Sequence, residues 1–169
     1  MEIEWRAFEL HPGIPPEGQL INWPPETLAQ RSAQFKERAE AEGLEVGERK
    51  HWYDSRPAHE AAQWADAHGE GNELRKGIYR AYFVEDRNIG SPDVLAKIAT
   101  DLGLDAADLR KALDDGRYRQ DVEAQYTEAR EIGVRAVPTF VADGKALEGA
   151  HPYETFENLM AMIGTPKRD

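Results

Sequence analysis

RAVPTFVADGK, residues 135–145, decides how the rest of this chain is read. Thr139 to Ala142 form a β-type run entered through a Val137-Pro138 step. Proline has no N–H to give to a ladder, so it suits the first residue of a strand. Asp143-Gly144 is the pair favoured in a type I′ turn, where both central residues need positive φ. Lys145 to Glu148 then return, and the segment reads as a β-hairpin. Downstream, a last helix starts near Pro152 and carries Phe156, Leu159, Met160 and Ile163 on one face.

Upstream of the hairpin the period changes to that of helices. Pro25 suits a first helical position, and Leu28, Phe35 and Ala39 mark a stripe that stops at Gly43. Leu44–Val46 reads as a short strand. A second helix runs from Pro57 to about His68 with Ala58, Ala61, Ala62 and Ala65 on one side. A third carries Leu74, Ile78 and Tyr82. A fourth opens with Ser91 as N-cap and Pro92 behind it, turns Val94, Leu95, Ile98 and Leu102 inward and ends at Gly103. A fifth begins at Asp105, with Asp108 placed to favour its N-terminus, and stops at Gly116. A sixth carries Val122, Tyr126 and Ala129 and stops at Gly133. Ahead of all of them, Ile3, Trp5 and Ala7 alternate with charged residues, as a half-buried strand would. Residues 11–25 hold five prolines and two glycines and read as a long loop.

The order is strand, about six helices, hairpin, helix, with no repeat and no low-complexity tract. It suggests one α/β sheet interrupted by a helical insertion. The 169 residues carry 32 acidic against 21 basic side chains, a net charge of −11. Nucleic-acid binding rests on Lys and Arg neutralising phosphates, and anionic membrane surfaces select for the same residues, so neither partner is expected. No apolar run approaches the roughly 20 residues of a membrane span and no leader is visible at the N-terminus, which makes the cytoplasm the default location. There is no cysteine, which removes disulfides, thiolate metal sites and Cys nucleophiles from this chain.

The other chemistry-bearing residues read as structural. His11, His51, His59, His68 and His151 show no metal-ligand spacing, and no metal or cofactor is called for. His59-Glu60 lies on the Ala-rich helix as a packing or capping feature, and His151 is a loop residue before the last helix. Ser32, Ser55 and Ser91 build no nucleophile elbow. Trp5, Trp23, Trp52 and Trp64 read as core or loop packing, with Trp52-Tyr53 a candidate lining for a peptide groove.

Several blocks together resemble the DsbA family, a thioredoxin fold carrying a helical insertion, and within it the FrnE-like dithiol-disulfide isomerase branch. They are Trp5 to Leu10, Asp54 to His59, Ala81-Tyr82-Phe83, Gly133 to Val141 and Gly149 to Tyr153. The resemblance spans essentially the whole chain. It implies one domain, 1–169, with a thioredoxin part over about 1–24 and 134–169 and an insertion over about 25–133. It also implies that Pro138 is a cis-proline facing the family's redox site. Val137, Pro138 and Thr139 would then bind substrate, the Val137 backbone hydrogen-bonding an extended segment by strand addition.

The family's dithiol sits at the first strand-to-helix turn, where a helix N-terminus lowers the thiol pKa. Aligned on the family, Glu2–Leu10 falls on its second strand, so the first strand, the active-site turn and the first helix would lie before Met1. A start assigned too late, a trimmed chain or a naturally short relative would each account for this. No catalytic residue is then expected among these residues, and a bare sheet edge favours a homodimer or a rearranged sheet. Three functions follow from the resemblance. The first is a thiol–disulfide oxidoreductase or isomerase relative that is inactive alone. The second is a non-catalytic module that binds peptides or small thiols. The third is a truncated glutathione-dependent isomerase or transferase of the kappa-like branch. That branch carries Asp-Ser after the hairpin, and Glu148-Gly149-Ala150-His151 stands here instead, which favours the disulfide branch.

Overall fold

Proline and glycine punctuate the chain as expected, and the helices form between them. The computed structural model describes residues 3–165 and divides into two compact units, His11–Ala124 and Met1–Leu10 with Gln125–Asp169.

The first unit is mainly helical. It holds β1 (Gln19–Leu20), α1 (Pro25–Ala41), β2 (His51–Trp52), α2 (Arg56–Ala67), α3 (Gly71–Phe83), α4 (Pro92–Asp101), α5 (Ala106–Asp114) and the start of α6 (Arg119–Glu131). Alanines at 58, 61 and 65 make one side of α2 small, so α3, α4 and α5 pack closely on it around Trp64, Leu74, Leu95 and Leu109. At Gly77 a Cβ would stand 2.6 Å from Ile98 Cγ2, so the missing side chain is what lets α3 and α4 meet there. Asp105 caps α5, its Oδ1 accepting the N–H groups of Ala107 at 3.1 Å and Asp108 at 2.9 Å. Burying these apolar side chains stabilises the unit by about 25 cal/mol per Å² removed from water.

Two expectations fail in this unit. Leu44–Val46 is not a strand. The pairing falls on His51–Trp52, antiparallel to Gln19–Leu20. Ile21 N–H also donates to Lys50 C=O at 2.8 Å and extends this short ladder. Leu102, read as inward-facing, is 40% exposed, and Phe35 in the α1 stripe is 48% exposed. Leu102 is the C-cap residue of α4.

The second unit holds the end of α6, β3 (Thr139–Ala142), β4 (Lys145–Glu148) and α7 (Tyr153–Met162). Asp143 (φ 47°) and Gly144 (φ 71°) both take positive φ, so the hairpin turns as the type I′ signal predicts. The expected strand over Ile3–Ala7 does not form. Ala7 is tied by its N–H to Gln125 Oε1 at 2.7 Å, while Ile3 and Trp5 are 66% and 49% exposed. Alternation becomes a strand only where a neighbour completes the ladder, and among the described residues none lies beside this segment. Trp5 is therefore not a core residue. Two strands are also too narrow a sheet to cover a helix, and no residue of α7 is buried.

Candidate functional site: the open edge of the hairpin

The segment leading into β3 starts at the end of α6, where Val134 N–H donates to Ala129 C=O at 2.9 Å. The Val137–Pro138 peptide bond is cis. Thr139 Oγ1–H reaches back to Ala136 C=O at 2.7 Å and pins the entry to the strand. Phe140 and Phe156 meet edge to face at 4.7 Å, which holds β3 on α7.

The register decides which backbone groups are free. Thr139 faces Glu148, Phe140 faces Leu147, Val141 faces Ala146 and Ala142 faces Lys145. Gly149 N–H donates to Pro138 C=O at 2.7 Å, so Pro138–Gly149 occupies a hydrogen-bonded position. In an antiparallel ladder such positions alternate with non-bonded ones. Thr139 and Val141 therefore turn their N–H and C=O groups away from β4. No third strand takes them among the described residues. Val137, 49% exposed, likewise makes no backbone hydrogen bond there. Val137, Pro138 and Thr139 thus form one continuous stretch that ends in a bare β-edge, with Val141 continuing it. That edge follows from register, and no composition signal announces it.

The remaining chemistry-bearing residues are occupied elsewhere. His151 Nε2–H donates to Glu148 C=O at 2.8 Å and closes the turn after β4. His68 Nδ1–H donates to Trp64 C=O at 2.7 Å. His51 Nδ1 sits 2.7 Å from Asp86 Oδ2, and Tyr53 O–H reaches Asp86 C=O at 2.9 Å. This pairing was invisible in the sequence because 35 positions separate its members. Trp52 lies in the helical unit beside His11 and Trp23. Burial holds the His59 ring down at a pKa of about 4, with Arg56 and Arg75 pushing the same way. Glu60 is buried; burial raises its carboxyl pKa, and Arg119, 3.5 Å away, opposes the rise.

Residues 1–161 match the family model of the DSBA-like thioredoxin domain. The chain is 32% identical over 166 residues to the protein YwbO of Bacillus subtilis (strain 168), a match covering 95% of this chain and 82% of that one. It is similar to the solved structure of the probable DsbA oxidoreductase of Streptomyces coelicolor, with a TM-score of 0.86 and 28% identity over 96% of this chain and 76% of that one. It is similar in fold to the cytosolic disulfide reductase DsbM of Pseudomonas aeruginosa, with a TM-score of 0.57 and 21% identity over 88% of this chain and 80% of that one.

Proposed function

The chain belongs to the DSBA-like thioredoxin domain family, and from that premise we propose that it carries the substrate-holding part of a thiol–disulfide oxidoreductase or isomerase. The edge running from Val137 through Thr139 to Val141 takes an extended peptide or peptide-like thiol as an added strand. The observation that carries this reading is the row of outward, unpartnered N–H and C=O groups beside Val137. Strand addition needs that row, since main-chain hydrogen bonds give the affinity and side-chain pockets the selectivity. The alternative uses of the face, in a FrnE-like isomerase or in a binding module without catalysis, share this step.

Thiol–disulfide exchange begins with a thiolate attacking a disulfide sulfur. These 169 residues contain no cysteine, so they hold the substrate and supply neither the attacking nor the resolving thiol. No helix among the described residues is long and apolar enough to cross a membrane.

The test is fluorescence anisotropy with a fluorescein-labelled peptide of alternating valine and serine carrying a cysteine blocked as a mixed disulfide. Saturable binding is expected. N-methylation of alternate backbone amides in the peptide is expected to weaken it by about tenfold or more, because each buried hydrogen bond lost costs about 1 kcal/mol. Equal affinity for the methylated peptide would overturn strand addition. In a parallel insulin-reduction assay with dithiothreitol, turnover above the thiol background would overturn the assignment of a holding role without a nucleophile.

A further inference from the structure

A cleft of about 290 Å³ opens in the helical unit, walled by Trp23, Arg31, Phe35, Arg38, Arg49 and Phe83. Three arginines line it. Arg56, Arg75, Arg80, Arg110, Arg117 and Arg119 each hold a carboxylate. Arg31, Arg38 and Arg49 pair with none among the described residues, in a chain where acidic side chains outnumber basic ones by 32 to 21. Three cations lining one concavity repel one another through solvent, and an anion among them would relieve that repulsion.

Two of the guanidinium groups, those of Arg31 and Arg49, lie over aromatic faces. Arg31 Cζ lies 4.6 Å from the Trp23 ring centroid. Arg49 Cζ lies 4.6 Å from the Trp52 centroid, 5.1 Å from Tyr82 and 5.5 Å from Phe83. Stacking fixes the plane of a guanidinium and leaves its edge of N–H donors open to a bidentate carboxylate or phosphate. Arg49 spends a single donor, on Tyr82 Oη at 3.3 Å. The positive field of Arg49 also reaches His11, whose pKa is lowered by burial first and by Arg49 second.

The wall beside these charges is apolar. Phe35 projects from α1 with 48% of its surface exposed, its ring 5.5 Å from Phe83. Gly47 sets the floor. Its N–H donates to Phe83 C=O at 2.9 Å, and a Cβ there would lie 2.0 Å from Val84 C=O. Only glycine lets the loop lie against the end of α3 this closely, and that contact brings Arg49 over Phe83.

We propose that this cleft is a binding site for a small aromatic anion, its carboxylate or phosphate held by Arg31, Arg38 and Arg49 and its ring seated against Phe35 and Phe83. The volume is at the low end for ligand pockets, which suits a single-ring compound. The site shares no residue with the β3 edge and stands whether or not that edge binds peptides.

Tryptophan fluorescence titrations at constant ionic strength test it, with benzoate, phenyl phosphate, inorganic phosphate and benzyl alcohol as probes. Benzoate or phenyl phosphate is expected to quench saturably, and the tighter of the two identifies the head group. Inorganic phosphate and benzyl alcohol are each expected to bind at least about tenfold more weakly, lacking the ring or the charge. Trp23→Phe should remove most of the quenching. Arg38→Gln, at a side chain with no aromatic stack, should weaken binding by about tenfold with an unchanged circular dichroism spectrum. Arg49→Lys, which keeps the charge and loses the fork, should weaken it as well. Benzyl alcohol binding as tightly as benzoate, unchanged affinity in Arg38→Gln, or no saturable quenching by either aromatic anion would each overturn the proposal.

Discussion

Replacing Trp64 by alanine is expected to destabilise the helical unit by about 4 kcal/mol, the range seen for removing a fully buried large aromatic. Trp64 is 2% exposed and sits where α2, α3 and α5 meet, so its removal leaves a void that the short alanines around it cannot fill. The loss is nearly all packing. Its Nε1–H donates to Asp108 Oδ2 at 2.7 Å, yet Asp108 keeps a bidentate partner in Arg117, at 3.0 Å to each oxygen. No orphaned charge therefore adds to the cost. Trp64→Phe separates the two contributions, since it keeps most of the volume and drops the hydrogen bond, at a cost of about 1 kcal/mol. Urea unfolding followed by circular dichroism at 222 nm measures both without relying on the removed fluorophore. A loss below about 2 kcal/mol for the alanine variant would mean that Trp64 is not the centre of this core.

The legible parts of this chain are those where local chemistry is enough. Pro25 and Pro92 open helices, glycines at 43, 103, 116 and 133 follow their ends, and Asp143-Gly144 forces the hairpin; each acts within a few residues of itself. The parts that failed depend on distant neighbours. Ile3–Ala7 has the alternation of a strand, and alternation without a partner gives no ladder. His51–Trp52 pairs with Gln19–Leu20 over so short a length that no period marks it. Val137-Pro138-Thr139 could be named as a candidate from sequence, whereas the register of β3 against β4, which turns Thr139 and Val141 outward, could not. The arginine cleft was hidden for a similar reason. Arg31 and Arg38 come from α1, Arg49 from a loop and Phe83 from the end of α3, and only folding reveals that their charges have no carboxylate nearby.

Acidification from about pH 7 to about pH 4.5 is expected to cost about 2 kcal/mol through His59 alone. The residue is partly exposed in the helical unit, and burial first, then Arg56 and Arg75, hold its pKa near 4 against 6.5 for a free imidazole. Between those values the unfolded chain takes up a proton that the folded chain refuses. The unfolded state therefore binds more protons, stability rises with pH, and the loss on acidification begins as pH falls through 6.5 and is complete near 4. Glu60 acts in the opposite sense. Its raised pKa means that the folded state is protonated first, which returns some stability as pH falls through the raised value. Asp108 acts lower down. Its carboxyl is held near 2 by Arg117 first and by the Trp64 N–H second. Its contribution is present above 3.8 and is lost only as pH falls toward 2. His59→Gln isolates the imidazole, because glutamine cannot titrate. The curve of stability against pH for that variant, from urea midpoints at a constant m-value, should be flatter than that of the parent by about 2 kcal/mol across the same interval. A variant that keeps the parent's slope would show that the acid sensitivity arises elsewhere and that His59 is free to ionise in the folded protein.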